Sequence, residues 1–290
     1  MINRIGVITI AAALLSLTSA ATAEGVAERL VTLGGSVTEI AVTLGIADRI
    51  VAVDDSSTYP PAAIEGKPRV GYYRTLSTEA VLSLRPDMVI AAAGAGPPVA
   101  LERLVNAGVE VASVPEVRDL DDLVAAAGII GTAVGRSAEA ERLVASLTSD
   151  MAGVAAAVDS ISGTPRSVFL LSLQRGSLML AGRGTAADSL IALAGAENLA
   201  QGFAGYKPAS PETLLTLQPD VIITTARTIA AAGDKTALLR QPGLEATPAG
   251  RGSRVIVLDD LLALGFGPRL PEAVNQLASG LYPDWESRLR

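Results

Sequence analysis

The amino-acid sequence predicts an α/β protein made of two Rossmann-like α/β lobes joined by a single long helix, with a ligand cleft between the lobes. Three observations predict it. Short apolar runs alternate with amphipathic segments, the pattern of parallel sheets covered by helices. One stretch occurs twice: residues 76–90 (LSTEAVLSLRPDMVI) align without a gap with residues 209–223 (ASPETLLTLQPDVII), 133 positions further on. Between the copies, Leu143, Leu147, Met151, Val154, Val158 and Ile161 recur at spacings of three and four. That stripe marks one unusually long helix.

The elements follow in order. Residues 1–23 read as a secretory signal peptide: Arg4 gives a positive start, Ile5 to Leu17 is almost wholly apolar, and Ala21-Thr22-Ala23 offers a cleavage site. The apolar run is shorter than a spanning helix requires. Export to the periplasm is therefore expected. The N-terminal lobe is expected over 24–136. Arg29 to Leu33 reads as a strand ended by Gly34-Gly35. Ser36 and Glu39 have capping-box spacing, and Val37, Ile40, Ala41 and Leu44 form one apolar face. Strands are expected at Ile50–Val53, Met88–Ala92 and Val109–Val114. Helices are expected from Ser77 to Leu84 and around Leu101, Leu104 and Val105.

Leu120 to Val134 reads as helical, and the connecting helix is expected over 137–162, ended by Ser162-Gly163-Thr164-Pro165. A solvent-exposed coiled-coil segment is the simpler alternative for that stretch. The C-terminal lobe is expected over 163–290. It begins with a strand from Ser167 to Leu171 and a helix from Thr185 to Ala194, and Val221 to Thr225 is a further strand. A cleft between two such lobes is a usual place for a small ligand.

Composition removes several functions. Lys and Arg number 23 against 30 Asp and Glu, a formal charge of −7, without basic clusters. Nucleic acid is therefore not an expected partner. The chain has no His and no Cys. Histidine triads, histidine-ligated zinc and histidine ligation of haem are excluded together. So are a disulfide and a lipid-carrying Cys. An enzyme on the same outline lacks a Gly-x-Ser-x-Gly elbow with triad partners. An adhesive or structural protein would expose aromatic surface, yet Phe, Trp and Tyr make up only 3% of residues. Gly94-Ala95-Gly96-Pro97-Pro98 follows a strand and is expected to line the cleft. It is no phosphate loop, since the Gly-Lys-Ser/Thr ending is missing.

Five segments carry a family resemblance: Gly34 to Ile40, Asp55-Ser56-Ser57-Thr58-Tyr59-Pro60-Pro61, Val70-Gly71-Tyr72-Tyr73-Arg74-Thr75-Leu76-Ser77, Gly94 to Pro98, and Ala181 to Asp188. Through them the chain resembles the periplasmic haem-binding proteins of bacterial haem ABC importers. That group also holds siderophore and vitamin B12 binding proteins. The resemblance implies a non-catalytic carrier for iron acquisition. It would capture haem b as cargo and deliver it to an inner-membrane permease dimer driven by a cytoplasmic ATPase. A monomer is expected. A ferric siderophore or a cobamide is the alternative cargo.

The resemblance places the axial iron ligand at Tyr72, and phenolate is a known haem ligand type. A tyrosine ionises near pH 10 unaided, so a neighbouring cation helps. Arg74, two residues on, would lie on the same side in an extended segment. Tyr73 would point away, or stack on the porphyrin if the loop turns. Tyr59 is a structural plug or a ligand contact. In the second lobe, Tyr206 and Arg227 are expected to face the cleft, Arg227 pairing with a haem propionate. Arg183 is a weaker candidate of that kind, and Met179 is expected in the core. Some relatives supply a second-lobe His to the iron, and this chain has none. Glu79 and Glu212 occupy the same place in the two copies of the repeat, at helix starts. The family resemblance makes them the docking points for arginines of the permease.

Overall fold

The computed structural model describes residues 27–172 and 178–285. The signal-peptide segment lies outside them. In the first lobe the strands are β1 (Leu30–Leu33), β2 (Ile50–Val53), β3 (Met88–Ala92) and β4 (Glu110–Val114). They form a parallel sheet in the order β2-β1-β3-β4. All four residues of β1 are buried, as in a strand covered on both faces. The helices are α1 (Gly35–Thr43), α2 (Pro61–Ile64), α3 (Thr78–Ser83), α4 (Pro98–Asn106) and α5 (Leu120–Ala133).

Helix α6 (Ser137–Asp159) is the connector, 23 residues long. Its stripe is the one read from the sequence: Leu147, Met151 and Val154 are buried, and Leu143 and Val158 are partly so. One continuous apolar core runs from Leu30 and Ile130 in the first lobe, through α6, to Ile223 and Trp285 in the second. The exposed coiled-coil reading of this segment is therefore corrected: α6 is packed by both lobes.

The second lobe holds β5 (Arg166–Ser172), β6 (Leu178–Ala181), β7 (Glu197–Asn198), β8 (Tyr206–Pro208), β9 (Val221–Thr225) and β10 (Val255–Leu258). The order is β10-β9-β5-β6-β8, with β7 beside β5. Strands β10, β9 and β5 are parallel, but β6 runs antiparallel to both β5 and β8. The expected parallel repeat is thus kept in half the sheet and replaced by antiparallel strands in the other half. The helices are α7 (Ala186–Leu193), α8 (Pro211–Leu217), α9 (Ala226–Ala232), α10 (Lys235–Leu239), α11 (Pro248–Arg251), α12 (Asp260–Leu264) and α13 (Leu270–Leu281).

The sequence repeat is a structural repeat. Helix α3 leads into β3 as α8 leads into β9. Ser77 and Ser210 cap the two helices, each accepting from the backbone N–H three residues on at 3.2 Å. At α1 the expected cap is not what forms. Gly34 precedes the helix, Ser36 lies inside its first turn, and no side chain caps it. Glu39 is turned inward instead, to a partner in the other lobe. Among the described residues no helix is long and apolar enough to cross a membrane.

Candidate ligand-binding site

The two sheets present their carboxyl edges to a common cleft of about 630 Å³. The first lobe contributes the residues after β1 (Gly34, Gly35, Ser36), after β3 (Ala93) and after β4 (Pro115 to Arg118). The second contributes Arg227 after β9 and Asp259, Asp260 and Leu261 after β10. Open α/β sheets bind ligands at the carboxyl ends of their strands. Here two such edges converge.

The wall after β1 is held by a buried carboxylate. Asp54 accepts hydrogen bonds from the Gly34 N–H (2.9 Å), the Ser57 hydroxyl (2.7 Å), and the Ser56 N–H (2.9 Å) and hydroxyl (2.7 Å). The Ser56 hydroxyl accepts in turn from the Gly35 N–H at 3.0 Å. Gly35 is required by close approach: a Cβ there would collide with the Leu261 side chain of the opposite lobe. Two segments 20 residues apart in sequence, Gly34 to Ile40 and Asp54 to Thr58, thereby become one rigid surface.

Tyr72, Tyr73 and Arg74 form the most distinctive group in the cleft. Tyr72 has extended backbone, but Tyr73–Thr75 is a turn of 3₁₀-helix. The expected extended geometry is therefore corrected, and so is the outward-pointing Tyr73. The turn brings all three side chains to the cleft lining. The two phenol rings meet edge to face, centroids 5.0 Å apart. The Arg74 guanidinium lies over the Tyr73 ring, 4.9 Å from its centre. Burial works against the Arg74 charge, but attraction to Tyr73 and Tyr72, with hydrogen bonds to both phenols, outweighs it and raises its pKa. Burial pushes the Tyr73 phenol up, and Arg74 draws it part of the way back. Tyr72 is 44% exposed, a large aromatic side chain open to the cleft.

The Gly94–Pro98 loop does a different task from the one expected. Only the residues before it, Ala92 and Ala93, line the cleft. The loop buttresses the turn from behind. Gly96 N–H donates to the Tyr73 carbonyl (3.0 Å), and Leu76 N–H donates to the Gly96 carbonyl (2.7 Å). Gly94 has φ +74°, and a Cβ there would collide with the Arg74 guanidinium. The glycine makes room for the cation.

On the second lobe Tyr206 and Arg227 both line the cleft, as expected. Tyr206 is 42% exposed. Burial against the lobe pushes its phenol up, and a hydrogen bond with Thr185 pulls it back. Thr185 caps α7, and Asp188 in that helix accepts from Asn198 (2.8 Å), Gln201 (2.7 Å) and the Gly184 N–H (3.0 Å). Arg227 is exposed and pairs with Asp260 at 3.8 Å. Met179 and Arg183 are not among the lining residues. Tyr59, expected as a structural plug or a ligand contact, is not among them either. Its ring instead covers the Arg269 guanidinium, 3.6 Å from centre to charge.

Glu79 and Glu212 are fully exposed at the starts of α3 and α8. Hydrogen bonds from their own backbone N–H, and from Ser77 and Ser210, hold both carboxyls below the usual range. They remain charged at any neutral pH.

Sequence reasoning passed over two parts of the cleft. Glu116 and Arg118 follow the correctly placed strand β4, and Asp259, Asp260, Leu261 and Leu264 follow β10. The signal was available for the first pair, since residues just past a parallel strand belong to the binding edge. For the second, β10 itself went unread.

Comparison with known proteins gives this architecture a family. A family model described as "Periplasmic binding protein" matches residues 30–262. The chain belongs to that family, the substrate-binding components of ABC importers, which work with a permease and an ATPase. Its members are transport proteins rather than enzymes. Among solved structures it is similar to the periplasmic haem-binding protein RhuT from Roseiflexus sp. RS-1 in apo form: 37% identity, TM-score 0.85, 91% of this chain and 99% of that one. It is similar also to the periplasmic haem-binding protein BhuT in complex with two haems, at 40% identity and TM-score 0.83, over 90% of this chain and 99% of the other. The ABC transporter substrate-binding lipoprotein YvrC of Bacillus subtilis is 30% identical over 89% of this chain and 81% of its own. A vitamin B12-binding protein of Pectobacterium atrosepticum is 26% identical over 89% of this chain and 90% of its own.

Proposed function

We propose that this protein captures ferric haem b in the periplasm and delivers it to the permease of an ABC importer. The Tyr72–Tyr73–Arg74 group carries the reading. A phenol open to the cleft, beside a guanidinium stacked on the neighbouring ring, is a ready oxygen ligand for ferric iron. Tyr72 is the axial ligand, Arg74 stands beside it, and Tyr73 and Tyr206 pack on the porphyrin.

The balance of charge supports the same cargo. Arg74, Arg118 and Arg227 line the cleft together with Glu116, Asp259 and Asp260. An anionic iron–siderophore complex calls for an excess of cations, and three against three gives none. Haem brings two propionates on an otherwise apolar ring. Arg227 and Arg118 are held by exposed ion pairs, at 3.8 Å to Asp260 and 3.6 Å to Asp122. Such pairs are weak, so either arginine is free to exchange its carboxylate for a propionate. The vitamin B12-binding relatives favour a second reading, a cobamide, which has no ferric iron for Tyr72 to hold.

Titration of the apoprotein with ferric haem and, separately, with cobalamin decides between them. Saturable binding of haem with a high-spin tyrosinate spectrum is expected. Saturation by cobalamin alone would transfer the protein to the second reading.

Delivery makes its own prediction. Glu79 and Glu212 sit at equivalent places in the two lobes and dock on the permease. Two separated charges fix orientation and speed encounter. Replacing both, Glu79→Lys with Glu212→Lys, leaves haem affinity unchanged and lowers haem uptake by the reconstituted importer at least about tenfold. Unchanged uptake would remove these residues from the docking surface.

A further inference from the structure

Besides α6, the lobes are tied at the base of the cleft. Arg269, just before α13, donates to Glu39 of α1 at 2.5 Å across 230 residues of sequence. The pair is enclosed: Glu39 is 4% exposed and the Arg269 side chain 17%. Tyr59, from a third segment, closes it on the solvent side. Arg269 Nε is buried with no hydrogen-bond partner among the described residues, so the aromatic face is what meets the guanidinium there. Gly267 allows the approach, since a Cβ there would stand 2.8 Å from a Glu39 oxygen.

The position of this clasp gives it a consequence for binding. Helix α1 begins with cleft residues Gly35, Ser36 and Val37, and Glu39 is less than one turn behind them. Helix α12, with cleft residues Leu261 and Leu264, lies just before Gly267 and Arg269. The clasp therefore joins the two cleft walls directly behind their lining. We propose that Glu39, Arg269 and Tyr59 are positioning residues that set the spacing of the two lobes, and so govern how long a bound ligand is retained without touching it.

The retention part rests on the haem reading; the spacing part does not. Both are tested with Glu39→Gln combined with Arg269→Met, which removes both charges together and leaves neither buried alone. The chain has no native Cys, so Glu102→Cys and Arg240→Cys, exposed positions on opposite lobes, carry spin labels for an inter-lobe distance in the apoprotein. The clasp variant is expected to show a longer or broader distance distribution than the clasped protein. It is expected to release ferric haem at least about tenfold faster, with little change in association rate and an unchanged spectrum of the bound form. An unchanged distance distribution, an unchanged release rate or an altered iron spectrum each overturns the proposal. Tyr59→Ser, at a position 39% exposed, shifts distance and release the same way to a smaller degree, and decides the matter if the double variant does not fold. Should the wild type take up no haem, the ligand reading fails alone, and the distance measurement still decides the clasp.

Discussion

Tyr72→Ala is expected to abolish the tyrosinate spectrum of the proposed ferric haem complex and to weaken haem binding by about two to three orders of magnitude. Tyr72→Phe gives nearly the same loss. The pair separates two contributions that a single variant would mix. Phenylalanine keeps the ring, its edge-to-face contact with Tyr73 and its apolar surface. Only the oxygen goes. If the iron–oxygen bond carries the affinity, Phe is almost as damaging as Ala. If Tyr72 acts by packing, Phe binds like the wild type and the spectrum does not change. Arg74→Ala is a weaker version of the same test, because its guanidinium packs on the Tyr73 ring beside Tyr72 without bonding the metal. Its expected signature is weaker binding with the tyrosinate spectrum preserved. A Tyr72→Phe protein that binds haem with wild-type affinity and spectrum would end the assignment.

How much of this site was legible in the sequence depends on how local the cause is. The repeat of α3–β3 as α8–β9 is local, set by the same cap, the same apolar spacing and the same Pro-Asp turn, and it folds as read. The stripe on α6 is local too. Tyr72 was singled out because its short motif is distinctive, and the fold brings it to the cleft lining. What escaped depends on partners far away in sequence. Ser36 and Glu39 have capping-box spacing, but Arg269 offers Glu39 a stronger, buried partner, and the box does not form. Tyr59 precedes Pro60-Pro61 in a segment that resembles a ligand contact, yet its ring is taken by the same Arg269. Arg74 reaches both phenols through a 3₁₀ turn propped by the Gly94–Gly96 loop, a packing effect that alternation along a strand does not encode. The antiparallel β8 was missed because it is three exposed residues, Tyr206-Lys207-Pro208, with no apolar run to mark a strand.

The clasp carries the second large effect, on stability. Arg269→Met alone destabilises the protein by about 3–5 kcal/mol at neutral pH, because it leaves Glu39 buried and charged without its partner. The double variant with Glu39→Gln recovers most of that loss. The single variant also acquires a pH dependence whose sign is fixed by Glu39. Burial already raises the Glu39 pKa above its ordinary value of 4.5, and Arg269 opposes the rise through its hydrogen bond and its charge. The neighbouring carboxylates Asp259 and Glu272 push in the same direction as burial. Removing Arg269 removes the opposing pull, so the folded-state pKa climbs further. A carboxyl with a raised folded pKa gives its full stabilisation below the unfolded pKa and loses it as pH rises through the folded one. The gap between Arg269→Met and wild type is therefore smallest below the raised wild-type pKa of Glu39 and widens as pH rises from there toward the variant's, by at most about 1.4 kcal/mol per pH unit. Denaturant unfolding of both proteins at pH 5 and pH 8 measures it. A gap equal at the two pH values would mean that Glu39 finds water or another cation once Arg269 is gone, and that the pair is not the closed contact its burial indicates.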